Sequence, residues 1–194
     1  MTARKNNTKK LALLAILTAT VIVLQLLGSF IRFGTFSISL VLIPIVIGTA
    51  VGGIGGGAWL GLVFGLTVLL SGDAAFFLSI NPAGTVVTVL IKGILAGVAS
   101  GAVFKLLRSR NRTLAVICAA IVCPVVNTGI FLLGCRLFFF ESIRQMAGGA
   151  DVLIYMLTTL VGGNFIFELG VNAVLSPVIV RLLGMGIIKE QESQ

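Results

Sequence analysis

The sequence has no histidine, one tryptophan, one tyrosine, three cysteines and only six acidic side chains in 194 residues. Without histidine, the commonest general base and metal ligand of neutral-pH chemistry is missing. Cys118, Cys123 and Cys135 fall in one apolar stretch without metal-ligand spacing. They read as inert, buried thiols, and no metal or other cofactor is predicted. No string of the form G-x-x-x-x-G-K-[ST] occurs, so the chain has no P-loop of its own. Charged residues make up 10% of the chain, too few for the surface of a soluble domain.

What is abundant is apolar sequence. Hydrophobic residues make up 58% of the chain and the mean hydropathy is +1.17. They form long uncharged runs, and about 18 such residues cross a bilayer core as a helix, the backbone form that satisfies its own polar groups in lipid. The fold predicted is an all-α membrane protein, a compact bundle of six transmembrane helices at about 11–27, 38–51, 58–70, 84–104, 114–134 and 161–183. The string GGIGGG at 52–57 is read as a tight turn between the second and third helices, being too flexible for a helix interior. Residues 152–160 suit either an extra turn of the last helix or a short re-entrant piece. Residues 1–10 form a basic tail, 11–185 the membrane domain and 186–194 a polar tail.

A net charge of +8 would suggest nucleic acid for a soluble protein, but here the cations cluster by topology. Four lie in the N-terminal tail, four at 105–112 and two, Arg181 and Lys189, at the C-terminal end, whereas Arg32, Arg136 and Arg144 lie on the opposite side. The positive-inside rule then places both termini in the cytoplasm and the basic clusters beside anionic lipid, with no nucleic-acid partner. Gln25, Leu26 and Leu27 precede Gly28 where a cleavable leader would have small residues, so the first helix is read as retained.

Candidate binding residues stand out because polarity inside a membrane is costly. Asn164, Glu168 and Asn172 are spaced by four and share one face of the last helix. An intramembrane carboxylate turns toward a partner or a wet cavity. Lys92 and Glu168 each lie thirteen residues from a basic boundary residue, Lys105 and Arg181, and Asn127 lies fifteen from Arg112. At 1.5 Å per residue all three sit about 20 Å from the cytoplasmic face. A structural ion pair between Lys92 and Glu168 is the plainer reading of the same residues.

Gly57, Gly61 and Gly65 on the third helix and Gly93, Gly97 and Gly101 on the fourth form small-residue ladders suited to close helix packing. Ala15 and Ala19 make a small flat patch near the cytoplasmic end of the first helix. Trp59 and Tyr155 read as interfacial anchors, and Phe138, Phe139 and Phe140 as a lipid-level belt or part of a lid.

Over residues 11–185 the chain resembles the substrate-binding S components of energy-coupling-factor (ECF) vitamin transporters, six-helix proteins with internal termini and a basic loop between helices 4 and 5. The family's Ala-x-x-x-Ala docking motif is matched by Ala15-Ile16-Leu17-Thr18-Ala19. The resemblance implies a high-affinity binding subunit of an ABC importer in a bacterial or archaeal cell membrane, working with a membrane-embedded T component and two cytoplasmic ATPases. It implies a gate at 28–37, carrying Arg32, and a pocket on Lys92, Asn127, Asn164 and Glu168.

Other readings are weaker. An intramembrane enzyme lacks a catalytic constellation, and a channel or secondary transporter has no specific signal. A structural subunit resembling the rod-shape-determining membrane proteins has less reason to keep Lys92 and Glu168 in lipid. A cation, a carboxylate and amides suit a small polar solute, and scarce Trp and Tyr argue against strong stacking. Riboflavin, pantothenate and pyrimidine-type vitamins all stay open, with a lean to pantothenate because Lys92 or Arg32 suits its carboxylate.

Overall fold

The computed structural model describes the backbone of residues 2–30, 32–33, 36–37 and 41–184, with side chains within 7–30 and 41–181. Eight α-helices follow in order: α1 Thr2–Phe30, α2 Leu42–Leu70, α3 Ala75–Ile80, α4 Pro82–Leu107, α5 Arg112–Phe138, α6 Phe140–Met146, α7 Val152–Tyr155 and α8 Gly162–Gly184. Between α1 and α2, β1 (Arg32–Phe33) and β2 (Phe36–Ser37) pair antiparallel over two residues each. Among the described residues five helices are long and apolar enough to cross a membrane: α1 from residue 7, α2, α4, α5, and α8 to residue 181. By that measure the expected second and third helices count as one, α2.

The difference lies at the glycine string. The structure keeps 52–57 helical and places a single break at Gly53, where φ is 65° and ψ −158°. That left-handed backbone is open to glycine at little cost. Across the break the arms of α2 lie against each other. A Cβ built on Gly56 would fall 2.6 Å from the Gly48 carbonyl oxygen, and one built on Gly57 would fall 2.6 Å from Thr49 Cγ2. In an unbroken helix, residues eight apart are separated by about 12 Å. At Gly56 and Gly57, contact between backbones offsets weak helix propensity.

The second arm of α2 packs on α4 along the predicted ladders. Cβ atoms on Gly57 and Gly61 would collide with the carbonyls of Gly97 and Gly93, and one on Gly65 would lie 3.0 Å from the Val89 carbonyl oxygen. Side-chain caps start the later helices: Asn81 Oδ1 accepts from the Gly84 N–H at 2.9 Å, with Pro82 opening α4, and Asn111 Oδ1 accepts from Leu114 at 3.1 Å. Ser100 Oγ donates to the Ala119 carbonyl at 3.1 Å, tying α4 to α5.

Leu42, Ile45, Val46, Leu60 and Phe64 of α2 centre the main apolar core. A second cluster, including Phe77, Cys135, Phe139, Ile143 and Leu160, closes the end of the bundle where α3, α6 and α7 sit. Phe139 is buried there and meets Phe77 edge-on at 5.0 Å, so the middle of the phenylalanine run is core, while Phe138 stays partly exposed. Residues 152–160 are a piece of their own: α7, then a π-helical turn Met156–Leu160, then a break at Val161, whose N–H donates to Met156 at 3.2 Å. Trp59 is half exposed and donates to Thr18 Oγ1 at 3.0 Å, joining α2 to α1.

Candidate functional site

Beneath that aromatic closure lies a cavity of about 720 Å³, open mouth included, walled by α1, α2, α4, α5, the π turn and α8. The walls mix apolar side chains, among them phenylalanines from four different elements, with seven polar or charged ones. Lys92, Asn127, Asn164 and Glu168, named from depth and spacing alone, all line it.

Helix geometry explains how α4 delivers its cation. Gly93 is pressed on Gly61, and one residue earlier, about 100° around the helix, Lys92 faces the cavity. Its Nζ lies 5.2 Å from the Phe131 ring centroid and 5.6 Å from that of Phe64, so two aromatic faces hold the ammonium. Among the described residues no ion pair within 4.0 Å joins Lys92 to Glu168, although both line the cavity. The structural pair is therefore not made by direct contact.

The last helix presents its polar ladder as its spacing requires. Glu168 is 3% exposed, and its Oε1 accepts from Asn164 Nδ2 at 3.2 Å. Asn172 Nδ2 donates to the Glu168 carbonyl at 2.8 Å, and Ser176 Oγ to the Asn172 carbonyl at 2.7 Å. Those two bonds tie Asn172 and Ser176 to the helix backbone below the cavity. Asn127 on α5 is buried and its Oδ1 has no hydrogen-bond partner among the described residues. A buried unpaired acceptor is costly, and a ligand donor would satisfy it.

The sequence reading missed three polar residues of the wall, Gln25, Asp73 and Thr128. Gln25 is the one amide inside the apolar run of α1, a signal as strong as Asn127, while Asp73 looked like an ordinary loop acid. The side chain of Arg32, on β1, lies outside the described residues. Ala15 and Ala19 are exposed on α1, beside Ile16 at 63% exposure, and do not reach the cavity.

These features define a class, the helical membrane protein with a polar-lined cavity between its helices. The chain belongs to the family of ECF transporter substrate-specific components, whose model matches residues 9–180. It is also 28% identical over 197 residues to the pantothenic acid transporter PanT of Lactococcus lactis subsp. cremoris (strain MG1363), covering 93% of this chain and 96% of that one. No solved structure matches. The family is one of membrane transport components, and membership sets aside the structural-subunit alternative.

Proposed function

We propose that this protein is a high-affinity pantothenate-binding S component that captures the vitamin from outside the cell. The observation that carries the reading is Lys92: a cation inside a membrane bundle, lining a cavity with other polar side chains and without a direct carboxylate partner among the described residues. Pantothenate has a carboxylate for that ammonium, and an amide and two hydroxyls for the acceptors of Asn127 and Glu168. The similarity to PanT supports the same choice over riboflavin and pyrimidine-type vitamins. Asn164 and Arg32 complete the proposed set, Arg32 from the α1–α2 connection.

Six crossings with both termini in the cytoplasm fit this reading, the break at Gly53 turning α2 back toward the outer face. A cysteine at Gly55, on a background lacking Cys118, Cys123 and Cys135, should then be labelled from the cytoplasmic side. A residue sealed in mid-membrane, as a straight α2 requires, would not react. Energy comes from partners, a membrane-embedded T component docking on Ala15 and Ala19 and two cytoplasmic ATPases.

The direct test is calorimetry on the purified chain with pantothenate, together with uptake by proteoliposomes. Tight binding without concentrative uptake is expected, because a lone binding subunit has no energy input. Absence of pantothenate binding, or accumulation without ATPases, would overturn the reading.

A further inference from the structure

Gln25 sits on the opposite wall from the residues singled out by depth, and its environment fixes which way its amide points. It is 2% exposed, lines the cavity, and its Nε2 donates to Asp73 Oδ2. The –NH₂ end of the amide faces the Asp73 carboxyl oxygen, and the flipped amide would set oxygen against oxygen. The carbonyl end is left over. Gln25 Oε1 is buried and has no hydrogen-bond partner among the described residues.

Buried side-chain acceptors are seldom left unpaired, because the lost hydration is not regained. Four such atoms occur among the described residues, on Gln25, Thr88, Asn127 and Asn172. Of these, Gln25 and Asn127 belong to cavity-lining residues, and they come from different helices, α1 and α5. Two orphaned acceptors around one cavity ask for a ligand with at least two donors. The Lys92 ammonium asks for an anionic group on the same molecule.

We propose that Gln25 is a specificity-determining ligand contact, its Oε1 accepting a hydrogen bond from a hydroxyl or amide N–H of the solute while Asp73 acts as a positioning residue. The solute class is an anion with two or more hydrogen-bond donors. A ligand that keeps the carboxylate but lacks a donor leaves the Gln25 oxygen unpaired and is rejected, since a site built around a hydrogen bond discriminates more strongly by that bond than by shape.

This inference rests on the pantothenate reading, and the test separates the two. Affinities are measured for pantothenate and for its two deoxy analogues, lacking either the primary or the secondary hydroxyl, with the wild-type protein and with Gln25→Met, which keeps the length but removes the amide. The wild type should prefer pantothenate over at least one analogue by roughly tenfold or more. Gln25→Met should bind pantothenate more weakly and discriminate against that same analogue by no more than about threefold. A purely structural Gln25 would weaken all three ligands alike, and unchanged discrimination in the variant would overturn the proposal while leaving the pantothenate reading intact. Failure of the wild type to bind pantothenate would overturn both. Should Gln25→Met not fold, Gln25→Asn, which keeps the amide but shortens the reach, is read by the same ratio.

Discussion

Two neighbouring faces of α4 solve opposite problems. One meets α2 through glycine, backbone against backbone, with Gly93 and Gly97 on Gly61 and Gly57. The other carries Lys92 into a cavity among phenylalanine rings. In lipid there is little hydrophobic drive for apolar helices to associate, so close van der Waals contact must hold the bundle. That makes the glycine seam the part that tolerates no change of shape. The cavity wall keeps unpaired polar atoms and empty space, which a scaffold would fill. Rigidity on one side of α4 fixes where Lys92 stands on the other.

The sharpest way to break this contrast is to put a side chain in the seam. Gly61→Leu should displace α4 from α2 and lower stability by about 3 kcal/mol or more, read as loss of monodisperse protein or a large fall in melting temperature. Gly55→Ala, whose added Cβ meets nothing within 4 Å, should shift it little. Equal behaviour of the two would remove the seam from the account.

A second separation concerns docking and binding. Replacing Ala15 and Ala19 together by Leu adds bulk to an exposed strip of α1 far from the cavity. Copurification of a T component should be lost while pantothenate affinity stays within about twofold. Retained copurification with the double variant would mean that another surface docks.

The smallest effect is expected one turn below Glu168. Asn172 bonds the helix backbone and does not line the cavity. Asn172→Ala should therefore change pantothenate affinity by less than about threefold. A large loss, without a fall in melting temperature, would extend the site to the foot of α8.

The sequence made the bundle legible because composition leaves no other backbone solution in lipid, and it made half the cavity legible because membrane burial of charge is rare. Lys92 and Glu168 announced themselves in this way, and the four-residue spacing located Asn164. The helix break was located only to within six residues, since propensity treats Gly52 to Gly57 alike and only the positive φ at Gly53 singles one out. Phe64 and Phe131 were not legible, because a phenylalanine facing lipid and one holding an ammonium look the same in a hydrophobic run. Gln25 was legible in principle; its meaning came from Asp73, 48 residues away and beside it in space.

The central claim is that Lys92 and Glu168 face a ligand rather than each other. Affinity for pantothenate and melting temperature, measured for Lys92→Met, Glu168→Gln and the double variant, test it most directly. Each single change should weaken binding by about tenfold or more, the worth of a charge-assisted hydrogen bond of roughly 1.5–3 kcal/mol. The double variant should bind no better than the weaker single, with little change in melting temperature throughout. A structural pair instead predicts that each single loses stability and the double regains it. Full pantothenate affinity in the double variant would contradict the account.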